Sequence, residues 1–478
     1  MGSHTIVVHW DVAGGKAEAR TPDGIEARLT ALTRFGTDAV AFQGLESSIA
    51  WWHDDGPPAG TGAAQPYLDT GRSWIAVGRP LAEAGVATSA VRRFAAAARA
   101  HRRRAVFFGV ESRDAFAGFR SLALGLQSVL LPAEWPATLR RSRKLREQLR
   151  RARAKGVTVR IVDAGELAPG TAVRGEVERL QAEWLASRHM EAMTFLVAVE
   201  PFHAPEHHLY VIAERRGRPV QFLSAVPIPA ARGWLFEDML RGADAPNGTT
   251  ELVLDLALRW IADRGADRAE WATPGLTPLA GEIAWWLGAA RDATAPLYDF
   301  DGLRRFRARL APARWSTVWM VWDRGPAIVV LLDVLRAFAG GRLAVFGLRS
   351  IVRHANGPPW AVAMPLVPWI GLLIGLLATG NAAVLAFSHV ALAGWIVFDI
   401  ALAWLMFRAA ARPRPRRLAA LAIAAAADAA WSVHHVAHAG FGTGLPTAAL
   451  RTVAAVGPIV GATGLAWASR LATARGRR

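Results

Sequence analysis

The sequence predicts an α/β fold in two successive units, followed by an all-helical segment able to cross a membrane about four times. Three observations carry that expectation. Short apolar stretches rich in β-branched and aromatic residues alternate with amphipathic helical stretches up to about Trp322. Charged residues are dense up to about Arg353 and sparse beyond it. Long apolar runs of membrane-spanning length then follow.

The composition narrows the classes of function. With 478 residues the chain has room for two or three domains. Its hydrophobic share is 52% and its formal net charge is +17, and its mean hydropathy is +0.20. The positive charge is almost all arginine, since lysine occurs only at positions 16, 144 and 155. Such a balance favours anionic partners, nucleic acid or acidic lipid headgroups. Cysteine is absent, which excludes disulfides, a thiolate nucleophile and a cysteine zinc site. The opening residues lack the basic start and apolar run of a signal peptide, so the first domain is expected to stay in the cytoplasm.

An N-terminal extension, residues 1–24, precedes a first unit at 25–135. There Ser48 to Trp52, Ser73 to Val77 and Ala105 to Val110 read as strands, and Thr88 to His101 as an amphipathic helix. The second unit, 136–323, opens with a helix from Pro136 to Lys155. One face of it carries Leu145, Leu149 and Ala152; the other carries Arg140, Arg141, Arg143, Lys144, Arg146, Arg150, Arg151 and Arg153 against Glu147 alone. So one-sided a surface is expected to meet phosphates, of lipid or RNA, with Arg143, Lys144, Arg146 and Arg150 as its contacts.

The second unit is expected to continue through a strand at Val157 to Val162, a helix at Val173 to Arg188, and strands at Phe195 to Val199, Leu209 to Glu214, Val220 to Pro227 and Trp234 to Leu240. It ends with a helix at Thr250 to Asp263, a strand at Ala269 to Ala272, a helix at Leu279 to Leu287 and a strand at Thr317 to Trp322. Antiparallel strands followed by helix, strand and helix suit an acyltransferase of the GNAT type. The first unit reads as a degenerate copy of the second.

Residues 324–355 form a linker. Its apolar stretch Pro326 to Ala339 is interrupted by Asp333 and Arg336, each costing roughly 2.5 to 3.5 kcal/mol at mid-bilayer. An interfacial or docking helix is therefore expected rather than a span. Within 356–478, four spans are expected near Trp360 to Thr379, Ala382 to Phe407, Leu418 to Val436 and Ala448 to Ala468. Asp399 and Asp428 require those helices to pack together. Arginines cluster between spans two and three and in the tail, which is expected to place both segments, and the soluble part, on the cytoplasmic side of the membrane.

The stretch Gly233 to Gly248 holds the candidate chemistry. A buried strand ends on Glu237, Asp238 and Arg241, and Ala245-Pro246-Asn247-Gly248 then turns into a helix. Free N–H groups at a helix start suit an anion. No Gln/Arg-x-x-Gly-x-Gly/Ala turn, which would hold the pyrophosphate of an acyl coenzyme, precedes that helix. His434 and His438 stand four residues apart but lack a further ligand, so neither a metal nor a cofactor is expected.

With these residues in view, the soluble part resembles the catalytic domain of the phosphatidylglycerol lysyltransferase family over roughly residues 25 to 323. Glu237 to Arg241 with Asp244 to Gly248 is similar to that family's Asp-Leu-Met-Arg-Arg and Ala-Pro-Asn-Gly segment. Thr273 to Gly281 and Tyr298 to Trp315 resemble two further motifs; Glu183 to Leu185 with Glu191, Phe35-Gly36 and Val77 to Pro80 are weaker matches. Arg79 stands where an aspartate is usual, Gly242 replaces the second arginine of the key motif, and Arg307 and Arg309 replace lysines. The spans follow the catalytic part instead of preceding it.

The resemblance implies two fused GNAT-like units that move an amino acid from aminoacyl-tRNA, the co-substrate, onto phosphatidylglycerol. It implies catalysis and lipid-phosphate binding by Asp238 and Arg241, assisted by the cations Arg307 or Arg309, with Glu237, Asn247 and Gly248 at the substrate. A lipid hydroxyl attacking an ester needs a proton acceptor and a cation beside the developing charge, which is what these residue types supply. Two other readings stay open: a transferase of this fold acting on an amine, a peptide or another lipid, and an inactive membrane protein that binds lipid or tRNA. The amino acid transferred and the oligomeric state are not legible.

Overall fold

A computed structural model describes residues 22–54, 62–188, 192–271 and 300–346 except 344, then 366–378, 388–411, 415–440 and scattered positions beyond. The chain divides into one unit ending at Phe346 and another containing Gly347–Arg478.

The first unit is built on one sheet. In chain order its elements are α1 (Pro22–Phe35), β1 (Ala50–His53), β2 (Ala64–Asp69), β3 (Ser73–Val77), α2 (Ala84–Ala100), β4 (Arg104–Val110), β5 (Arg120–Leu130), α3 (Trp135–Arg141), α4 (Arg143–Ala154), β6 (Val157–Val162) and α5 (Ala172–Ala186). There follow β7 (Leu209–Arg215), β8 (Arg218–Ile228), β9 (Gly233–Arg241), α6 (Thr249–Asp263), β10 (Arg268–Trp271), α7 (Phe300–Arg309), β11 (Arg314–Trp322) and α8 (Ala327–Phe338).

The strand order β1-β2-β3-β4-β11-β5-β10-β9-β8-β7-β6 contains an internal repeat. On one side β1, β2 and β3 pair antiparallel, β3 pairs parallel with β4, and β4 pairs antiparallel with β11. On the other, β7, β8 and β9 pair antiparallel, β9 pairs parallel with β10, and β10 pairs antiparallel with β5. A helix, α2 or α6, crosses between the parallel strands of each half, as parallel pairing demands. Each half closes on the other's last strand: β5 joins the second half and β11 the first. These two pair along nine registered positions at the centre, Arg314 to Trp322 against Val129 to Arg120.

Most expected elements fall where the pattern put them, within a few residues. Phe195 to Val199 is not a strand: Phe195–Val197 is a 3-10 turn, entered through a left-handed φ of +58° at Phe195. The helix expected over Pro136 to Lys155 is two helices, because Ser142 takes an extended conformation and its hydroxyl accepts the Leu145 N–H as the cap of α4. The expected helix Leu279 to Leu287 lies outside the described residues.

The interrupted apolar helix, α8, docks on the sheet. Val330, Val334 and Ala337 pack with Ile75, Val106 and Met320. Buried Asp333 accepts Ser73 Oγ at 2.8 Å and an Arg104 N–H at 2.6 Å, so the charge that argued against a span is a docking contact.

The second unit contains α9 (Leu366–Ala378), α10 (His389–Ala411) and α11 (Pro415–Ala439). Among the described residues one helix, within His389–Met406, is long and apolar enough to cross a membrane. The third expected span is helical over 25 residues, but its Asp428 and histidines lower its hydropathy. The first expected span is described as 13 residues of helix, and much of the fourth lies outside the described residues. Leu402 and Met406 of α10 pack on Leu418, Leu421 and Ala425 of α11, and Trp395 Nε1 donates to Asp428 at 3.2 Å. The helices thus pack so as to cover the buried Asp399 and Asp428.

Candidate active site

The chemistry gathers at a β-bulge. Along β8 and β9 the register runs Ser224 with Asp238, then Ala225 with Phe236, so Glu237 is an extra residue on β9. Side chains of a regular strand alternate between faces; a bulge resets that alternation. Phe236 and Met239 pack with α4 and α6 on one face. Leu235 packs toward α1 on the other face, and Leu240 toward the residues around α5 there. With Phe236 and Met239 on the α6 side, both acids between them are turned to the opposite side. Two adjacent carboxylates therefore share a face, which an unbroken strand would not allow.

Asp238 is buried, 7% exposed. Its carboxylate accepts Ser224 Oγ at 3.3 Å, and its backbone N–H donates to the same hydroxyl oxygen at 3.3 Å. Burial and then the neighbouring Glu237 hold its carboxyl well above the ordinary range, against the lowering effect of Ser224. A carboxylate so raised is a stronger base when ionised.

Other acids face it. Glu46 follows the 3-10 turn Ala41–Leu45 and is raised by burial, then by Glu237, Glu200 and Asp238. Glu200 accepts Ser47 Oγ at 3.5 Å. His208 Nε2 stands 3.5 Å from Glu237, and the two side chains are 0% and 5% exposed.

A second buried cluster sits at the seam between the halves. Glu111, just past β4, accepts the Ala39 N–H at 2.6 Å and an Arg268 N–H at 3.3 Å. Gln127 on β5 donates to Glu111 and to Glu270 on β10. Burial, then Glu270 and Asp38, push Glu111 up to about 7 while Arg268 opposes them. Arg79 is held by Asp38 through three hydrogen bonds.

Asp238 and Glu237 share one face of the bulged strand. Arg241 is not brought to Asp238. Past the bulge it aligns with Gln221, which reaches α6 through Thr250 at 3.1 Å, and its guanidinium donates to the Ala245 carbonyl at 2.6 Å. Asn247 is exposed. Gly248 caps α6 with φ +94°, and a Cβ there would lie 2.1 Å from the Gln148 carbonyl of α4; no other residue fits that approach. Arg307 is buried and Arg309 exposed on α7, the latter lying over the Phe306 ring.

Helix α4 buries Leu145, Leu149 and Ala152, as its sequence predicts. Arg143, Lys144, Arg146 and Arg150 are exposed. Arg150 and Arg151 close on Glu147 at 2.9 and 2.8 Å, and Arg146 donates to the Leu139 carbonyl. Among the described residues, Arg143 and Lys144 meet no carboxylate, leaving their charge available to an anion.

The sequence reading missed Glu46, Glu200, His203 and His208. A signal existed: three histidines, His203, His207 and His208, fall within six residues of a chain that has 13, directly before the buried strand β7. The His434 and His438 rings lie 4.1 Å apart, centroid to centroid, on α11 with their planes tilted by 48°, but gather no third ligand among the described residues.

The family model for the C-terminal part of phosphatidylglycerol lysyltransferase matches residues 47–322, more than half of the chain. Among solved structures, a C-terminal domain described as that of a lysylphosphatidylglycerol synthetase from Agrobacterium fabrum is 22% identical. It aligns with a TM-score of 0.56 over 67% of this chain and 98% of its own. The L-PGS structure from Bacillus licheniformis is 16% identical, with a TM-score of 0.55 over 68% of this chain and 97% of its own. At these identities the structures establish a shared fold. No curated protein matches the sequence significantly. The match over residues 47–322 spans both halves of the sheet and the bulged strand, and on it the chain belongs to the phosphatidylglycerol lysyltransferase C-terminal family.

Proposed function

We propose that this protein transfers an amino acid from aminoacyl-tRNA to a glycerol hydroxyl of phosphatidylglycerol at the cytoplasmic face of a membrane. Family membership supports aminoacyl transfer to that lipid. The observation that carries the assignment of roles is Asp238, a buried, raised carboxylate beside the Ser224 hydroxyl on a bulged strand.

In this reading Asp238 accepts the proton of the lipid hydroxyl as its oxygen attacks the ester carbonyl. The bond to the ribose oxygen then breaks, that oxygen takes up a proton, and one ester replaces another without a coenzyme. Arg241 holds the turn before α6, and its position at the strand end suits a lipid phosphate. Arg307 and Arg309 add positive charge from α7. Arg143 and Lys144, backed by Arg146 and Arg150, receive phosphates of tRNA or of the membrane surface. The helices after residue 356 anchor the enzyme, with the arginines between α10 and α11 keeping those ends cytoplasmic. The product lipid carries less negative charge, which weakens the attraction of cationic antimicrobial peptides.

Mass spectrometry of total lipids tests the proposal, in a host without such enzymes expressing this chain or its Asp238→Ala form. The expected result is a phosphatidylglycerol species heavier by one aminoacyl group, absent with Asp238→Ala. Unchanged lipids despite good membrane expression would overturn it.

A further inference from the structure

Beside Asp238, His203, His208 and Glu237 converge. Among the described residues they are the one group of three such side chains whose ligand atoms all lie within 4.8 Å of one another. Each of the three has a buried polar atom with no hydrogen-bond partner: His203 Nε2, His208 Nε2 and a Glu237 carboxylate oxygen. Leaving three such groups unsatisfied is costly.

The other nitrogen of each ring fixes its protonation. His203 Nδ1 lies 2.8 Å from the Glu200 carbonyl and His208 Nδ1 3.1 Å from the Ala204 carbonyl. A carbonyl oxygen can only accept, so both Nδ1 atoms carry hydrogen and both Nε2 lone pairs turn inward. This is the outer-shell arrangement that orients histidine ligands at metal centres.

An ion pair between His208 and Glu237 would leave His203 Nε2 unsatisfied, whereas one cation at the centre satisfies all three. Ligand atoms about 2.1 Å from a tetrahedral metal stand about 3.4 Å apart. His208 and Glu237 are already 3.5 Å apart, and a small inward shift of His203 completes the triangle. The rings are braced: His208 stacks on Tyr210 at 5.2 Å and meets the Phe42 edge at 5.9 Å, and Tyr210 donates to the Pro201 carbonyl at 2.7 Å.

We propose that His203, His208 and Glu237 form a binding site for one divalent metal ion of the zinc class, adjoining Asp238. Two imidazoles and one carboxylate match that ion and leave a fourth position open.

The test is metal binding by the untagged full chain in detergent, read independently of any transfer reaction. Elemental analysis should find one transition-metal ion per chain, or the chelator-stripped protein should take up one equivalent of Zn²⁺ against a chromogenic chelator. Co²⁺ should give the visible bands of a tetrahedral site. Glu237→Gln and His203→Ala should each weaken Zn²⁺ binding at least 100-fold, while Asp238→Asn keeps it. If a variant fails to fold, a Zn²⁺-dependent rise in melting temperature of the stripped wild type, saturating at one equivalent, supports the site. No stoichiometric uptake by the wild type, or unchanged binding by a folded Glu237→Gln protein, would overturn it.

Discussion

The two halves of the sheet share one strand plan and have opposite contents. In the first half, β3 is buried along its whole length and pairs with β2 without a break in register. The charged group past its end, Arg79, is locked onto Asp38. In the second half the equivalent strand, β9, carries a bulge, two acids on one face and His203 and His208 beside Glu237, with Glu46 of the first half among the acids around them. One extra residue, Glu237, marks much of the difference. The first half contributes Glu46 to the acids around Asp238, while its own buried Asp38 is paired with Arg79.

If that contrast is right, the halves should break differently. Phe94, fully buried among Trp52, Tyr67, Trp74 and Phe107, belongs to the structural half. Phe94→Ala should cost about 3 to 5 kcal/mol in denaturant unfolding, and a loss below about 1 kcal/mol would contradict that role.

The seam should show itself in pH. Glu111 faces Glu270, Asp38, Arg268 and Gln127, and is held near 7 against an ordinary value near 4.3. A carboxyl raised on folding binds its proton more tightly in the folded state. The two states then bind it differently between these values, and stability falls as pH rises from about 4.5 to 7, by on the order of 3 kcal/mol. Melting curves across that range should show the fall, and Glu111→Gln should flatten it; a stability that rises over the range would refute the assignment.

Smallest is the effect on α4. Arg143→Glu with Lys144→Glu should weaken tRNA binding about tenfold or more and lower the salt dependence of log Kd by about 1 to 2. Binding that is unchanged while vesicle association falls would assign the helix to lipid.

Much of this was legible. The buried stripe of Leu145, Leu149 and Ala152 and the acids at the end of β9 follow from local pattern. Strand β5 was missed because it is central, an apolar run with Gly125 inside it and no polar alternation to mark it. The edgeward β2 carries Pro66 and spans six residues, too little for a clear signal. The exchange of β5 and β11 is a long-range pairing that no local window contains. The histidine site was hidden for a related reason: His203 and His208 meet Glu237 only because the bulge turns Glu237 toward their loop, and a bulge is a property of two strands in register.

The most direct measurement is aminoacyl transfer by the purified full chain, from charged tRNA to phosphatidylglycerol vesicles, comparing Asp238→Asn with Arg79→Ala. The account predicts a rate lower by about 10² to 10⁴ for Asp238→Asn, with tRNA and vesicle binding retained, and a rate within a few-fold of wild type for Arg79→Ala. Equal losses in both variants, or full activity in Asp238→Asn, would contradict the division of the sheet into a structural and a chemical half.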